Sequence, residues 1–104
     1  MSDSYTAAIV HSPEAGVRLR PDATDLPGDA NDVNLLGMAI ALALGRAGYE
    51  HHAEARDPQL QTLDALIAGD TVMPWRRPDD STDEQHLTCT RAATGAWRCE
   101  VTSA

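Results

Sequence analysis

The spacing of apolar and polar residues changes along this chain, and each change marks an element. Residues 33–45 (VNLLGMAIALALG) carry no charge, whereas acidic residues are dense through most of the rest. Val33, Leu36, Ile40, Leu44 and Ala47 recur at three- and four-residue steps, the signature of one helical face. Leu35, Met38 and Leu42 fall on another side, so this helix is expected to be covered on more than one face. Asn31 or Asp32 suits its N-cap, Arg46 its last turn and Gly48 its C′ position.

The last twenty residues alternate instead. Residues 86–92 and 96–102 read as strands, and Ala93-Thr94-Gly95 suits a three-residue hairpin loop with Gly in the left-handed position. That register sets Leu87 opposite Val101, Cys89 opposite Cys99 and Arg91 opposite Trp97 on one face. Thr88 with Glu100 and Thr90 with Arg98 fall on the other, and a slip of one residue would destroy the sorting. The Cys pair falls at a non-hydrogen-bonded position, where Cα atoms lie about 4.5 Å apart, just inside disulfide range.

Weaker signals fill in the remainder. Residues 5–11 and 17–20 read as a hairpin around the turn chemistry of residues 12–16, and residues 21–32 as an acidic loop. Residues 49–56 read as a connector or edge strand. Asp57-Pro58 opens a second helix that runs to about residue 68, with Leu60, Leu63, Leu66 and Ile67 inward. Residues 71–75 follow as a short strand and 76–84 as a polar loop. The fold expected is a single α+β domain over residues 1–104. It has a small, mostly antiparallel sheet with two helices packed on one face, and β-hairpins at both ends, the second at 86–102.

Composition narrows the function classes. Sixteen acidic residues against eight basic ones, every one an Arg, give a net charge of −8. Codon bias in a GC-rich genome accounts for that balance as readily as function does. Either way the charge repels nucleic acid and anionic membranes, and it suits a protein partner with a basic surface. Tyr5, Tyr49, Trp75 and Trp97 supply all the aromatic rings, a thin reserve of burial that also makes association with a second copy plausible. The uncharged run falls short of the roughly 20 apolar residues of a membrane span. The N-terminus lacks a basic region ahead of an apolar stretch, so a cytoplasmic location is expected.

Candidate chemistry is sparse. Cys89 and Cys99 read either as a cross-strand disulfide or as reduced thiols packed like small apolar residues, the latter favoured in a reducing cytosol. A zinc site from His86, Cys89, Cys99 and His51 or His52 lacks the tight paired spacing such sites use. On an extended strand His86 and Cys89 also point to opposite faces. No phosphate-binding loop, nucleophile elbow or HExxH motif occurs, and Asp79-Asp80 sits in a polar loop where solvated charge is the ordinary state. No catalytic residue, metal or cofactor is therefore assigned. Gly37, Ala41 and Gly45 line a groove of small residues that serves either internal packing or self-association. Trp75, Arg76 and Arg77, fenced by Pro74 and Pro78, read either as an exposed interface knob or as a cover on one end of the core.

The sequence thus points to a non-enzymatic acidic protein-binding module of the inhibitor, immunity or adaptor kind. Asp22, Asp25, Asp29 and Asp32 would meet a basic partner surface, with Trp75, Arg76 and Arg77 as further contacts. The alternative is a homodimeric structural or ligand-carrying domain that associates through the groove of the first helix.

Overall fold

The computed structural model describes residues 4–22, 30–51, 72–79 and 82–103. Strands β1 (Ser4–Ser12) and β2 (Gly16–Pro21) form the N-terminal hairpin, and helix α1 spans Ala30–Arg46. Two-residue strands follow at β3 (Glu50–His51), β4 (Val72–Met73) and β5 (Trp75–Arg76), separated in the last case by Pro74. The C-terminal hairpin is β6 (Gln85–Arg91) and β7 (Trp97–Ser103). The main sheet has the order β4-β2-β1-β6-β7, antiparallel at every pairing, and β3 with β5 makes a separate two-stranded ribbon.

The expectation of two helices on one face is corrected. Among the described residues α1 is the one helix, and the segment read as the second, 57–68, lies outside them. Residues of the β3–β5 ribbon and its flanks supply part of the core: Tyr49, Met73 and Trp75 are all buried. Alternation sorts the sheet cleanly. Tyr5, Ala7, Ile9 and His11 of β1, Val17 and Leu19 of β2, and Leu87 and Cys89 of β6 face α1 and are buried. Leu36, Ile40 and Leu44 from α1 are fully buried against this face, each worth about 1.5–3 kcal/mol relative to exposure.

The helix ends as its sequence suggests. Gly48 adopts φ 95°, Gly48 N–H donates to the Gly45 carbonyl (3.1 Å), and Tyr49 N–H donates to the Leu44 carbonyl (3.0 Å). This pair of bonds is a Schellman cap with Gly48 at C′. At the other end α1 starts at Ala30, so Asn31 and Asp32 lie in the first turn rather than capping it. The covering of α1 also differs from expectation: one face is buried, and on the opposite side Leu35, Met38 and Leu42 are 36%, 37% and 52% exposed.

Candidate functional site

The C-terminal hairpin has the register its turn dictates, with Leu87 facing Val101, Cys89 facing Cys99 and Arg91 facing Trp97. Cys89 and Cys99 are joined by a disulfide, their Cα atoms 4.0 Å apart. Arg91, the polar exception on this face, has its own partners. It pairs with Asp32 in the first turn of α1 (3.0 Å) and lies 5.9 Å over the Trp97 ring. Both side chains of the pair are mostly buried, and Asp32 is favourably placed against the helix dipole. A carboxylate held this way is structural and not available to a partner.

The tryptophan–arginine segment is likewise drawn inward. Trp75 is 4% exposed, which corrects the exposed-knob reading in favour of the core-cover one. Its neighbour Arg76 reaches across the β1–β2 turn: Nε donates to the Pro13 carbonyl (3.1 Å) and Nη2 to the Glu14 carbonyl (3.2 Å). Arg77 donates from Nη1 to the Asp83 carbonyl (3.1 Å) and pairs with Asp79 (3.4 Å). Its guanidinium also stands 6.0 Å from the centre of the Tyr49 ring.

Around Arg77 the fold assembles a polar cluster that the sequence does not announce. His11, 2% exposed, accepts the backbone N–H of Arg77 on Nε2 (3.2 Å), and its ring meets Tyr49 edge-on at 6.3 Å. The Tyr49 hydroxyl donates to Oε1 of Gln85. Burial pushes the Tyr49 phenol above its ordinary pKa, a shift that Arg77 opposes and Asp79 reinforces. Residues 11, 49, 77 and 85 come from four different segments, so no local motif could have found them. These bonds lock β1, β6 and the segments at Tyr49 and Arg77 together.

The other predicted site residues are scattered. Asp22 is exposed and accepts a hydrogen bond from Thr6 Oγ1 (2.7 Å), whereas Asp25 and Asp29 lie outside the described residues. Gly37 and Ala41 are buried, but Gly45 is exposed and a Cβ there would meet nothing within 4 Å. Residues four apart drift about 40° around a helix at each step. The three therefore do not line one open groove: Gly37 and Ala41 serve internal packing.

His51 packs edge-on against Trp75 at 5.0 Å, and His52 lies outside the described residues. His86 is exposed on the opposite face of the sheet from buried Cys89. Among the described residues no three His, Cys, Asp or Glu side chains cluster as metal ligands. Among the described residues, open hollows of about 450 Å³ at the β6–β7 turn, about 300 Å³ between the end of α1 and β7, and about 230 Å³ beside Arg18 and Arg20 are lined without a histidine.

Among the described residues, the face of the sheet away from α1 carries Arg18, Arg20, His86, Arg98, Glu100 and a set of threonines, with Ala8 buried among them. No helix among the described residues is long and apolar enough to cross a membrane. In comparisons with protein-family models, curated proteins and solved structures, nothing matches this chain.

Proposed function

We propose that this chain is a non-enzymatic protein-binding module of the inhibitor, immunity or adaptor kind, acting on a partner with a basic surface. The observation that carries the reading is the solvent side of α1. There Leu35, Met38 and Leu42 form an uncharged apolar strip in a chain of net charge −8. Three large apolar side chains held exposed on a rigid helix cost solubility and suit a recognition surface. Among the described residues, His11, Tyr49, Arg77 and Asp32 are committed to internal contacts.

A basic rim on the partner would be steered by the acidic charge of this chain, and the apolar strip would supply the affinity. The test is affinity capture with the full chain at low and high ionic strength, alongside Leu42→Asp. The reading predicts a basic protein retained by the native chain, released faster as salt rises, and lost with Leu42→Asp. Capture that is indifferent both to salt and to Leu42→Asp overturns it.

Location belongs to the same proposal. The cytoplasm expected from the sequence is reducing, whereas the Cys89–Cys99 bridge is of a kind that persists in oxidising compartments. Alkylation of thiols in protein quenched directly from cells separates the two: labelled cysteines place it in the cytoplasm, and unlabelled cysteines exclude it.

A further inference from the structure

We infer that β7 is a self-association strand, along which two copies of this chain pair antiparallel about a two-fold axis at Cys99. The two edges of the sheet differ. β4 is two residues long and is followed by Pro74, which blunts it. β7 runs seven residues (WRCEVTS) in unbroken register with β6, without Pro, Gly or bulge, and no described strand lies on its far side.

The backbone of β7 fixes which residues face outward. Ala92 N–H donates to the Ala96 carbonyl (2.8 Å), so pairs 90↔98 and 88↔100 are the hydrogen-bonded ones. Cys89↔Cys99 is then a non-hydrogen-bonded pair, in keeping with its Cα separation of 4.0 Å. Trp97, Cys99 and Val101 therefore turn their N–H and C=O groups away from β6, toward the free edge.

Charge selects both the occupant and the register. An antiparallel pairing that uses these outward groups can be centred on residue 98, 99, 100 or 101, the last setting Glu100 opposite the uncharged Thr102 with no charge pairing. Centring on Arg98 sets it against its own copy, and centring on Glu100 does the same for two carboxylates. Centring on Cys99 sets Arg98 opposite Glu100 of the second copy, and Glu100 opposite Arg98, at positions where cross-strand side chains lie closest. Both residues are exposed, and neither makes an ion pair among the described residues. A pattern that complements itself about a two-fold axis fits a second copy rather than a foreign strand.

The same register places Trp97 of the second copy against Val101. That position borders the hollow of about 300 Å³ lined by Ala43, Arg46, Ala47, Cys99, Glu100 and Val101. Trp97 and Val101 are only partly buried in the single chain, so the pairing covers their remaining apolar surface.

Sedimentation equilibrium on the full chain, from low micromolar to near-millimolar concentration, tests this with Arg98→Glu and Glu100→Arg. The native chain forms a concentration-dependent dimer, and each single substitution, which sets like charges together twice, weakens it about tenfold or more. An equimolar mixture of the two variants regains the dimer, as does R98E/E100R in one chain. Bulk charge cannot imitate this, because the first substitution makes the chain more acidic and the second less. A native chain that stays monomeric, single variants that shift in opposite directions, or a dimer untouched by either overturns the inference; circular dichroism confirms that each variant is folded.

Discussion

The backbone N–H of Arg77 donates to Nε2 of His11 at 3.2 Å, tying the end of β5 to the most buried polar side chain of β1. This bond sets the imidazole tautomer, with Nε2 as acceptor and the ring proton on Nδ1. His11→Phe would fill similar space but strand a half-buried N–H donor, at a cost of about 1–3 kcal/mol. His11→Gln keeps an acceptor and is expected to lose less. Urea unfolding ranks the two; equal stability of His11→Phe and the native chain would show that water satisfies Arg77.

Two glycines make opposite predictions. Gly16 has φ 121°, and a Cβ there would collide with the Met73 carbonyl where β4 pairs with β2. Gly16→Ala is therefore expected to destabilise by about 2 kcal/mol or more, from backbone strain and displacement of β4 together. Gly45 lies in α1 with open space where its Cβ would sit, so Gly45→Ala should stabilise by about 0.5–1 kcal/mol through helix propensity. Thermal unfolding of both variants checks the pair, and the same sign for both would contradict it.

The Cys89–Cys99 bridge closes a loop with a sequence separation of 10. Loop-closure entropy for that length is worth about 2–3 kcal/mol. Reduction, or replacement of both cysteines by Ala, is expected to lower the unfolding free energy by that amount, read as a lower urea midpoint, while leaving the strands formed. An unchanged midpoint under reductant would mean that the thiols alone hold this corner.

Burial, and secondarily the charge of Asp22, pushes the Tyr5 phenol from 10.0 up to about 12. A neutral acid whose folded pKa is raised contributes stability that is fully present below the unfolded value. That stability is lost as pH rises from about 10 through about 12. Tyr49 is shifted in the same direction. Absorbance at 295 nm should show late tyrosine ionisation accompanied by loss of ellipticity over this window, and Tyr5→Phe should flatten the stability profile there. Ordinary titration near pH 10 in the folded chain would refute the burial of Tyr5.

Much of this fold is legible locally. The hairpin of β6 and β7 follows from strict alternation around a three-residue turn, because a slip would exchange its Cys and Leu face for its Thr and Glu face. The Gly48 cap and the inner stripe of α1 are equally local. What escapes the sequence depends on long-range partners. Trp75 sits among Pro and Arg residues and reads as exposed, yet it is buried because Arg76 and Arg77 bond to backbone and side-chain groups of segments far away in the chain. Asp32 reads as a free loop carboxylate, but the fold brings Arg91 to it. The apolar excess of α1 is visible in the sequence, but which side stays uncovered is decided by the sheet.

The proposed function places recognition on the side of α1 that carries Leu35, Met38 and Leu42. In-cell photocrosslinking with a reactive residue at position 42, compared with one at Thr88 on the sheet face away from α1, tests it directly. The account predicts an adduct with one basic protein from position 42 and none with that protein from position 88. Equal adducts from both positions, or adducts from Thr88 alone, would contradict it.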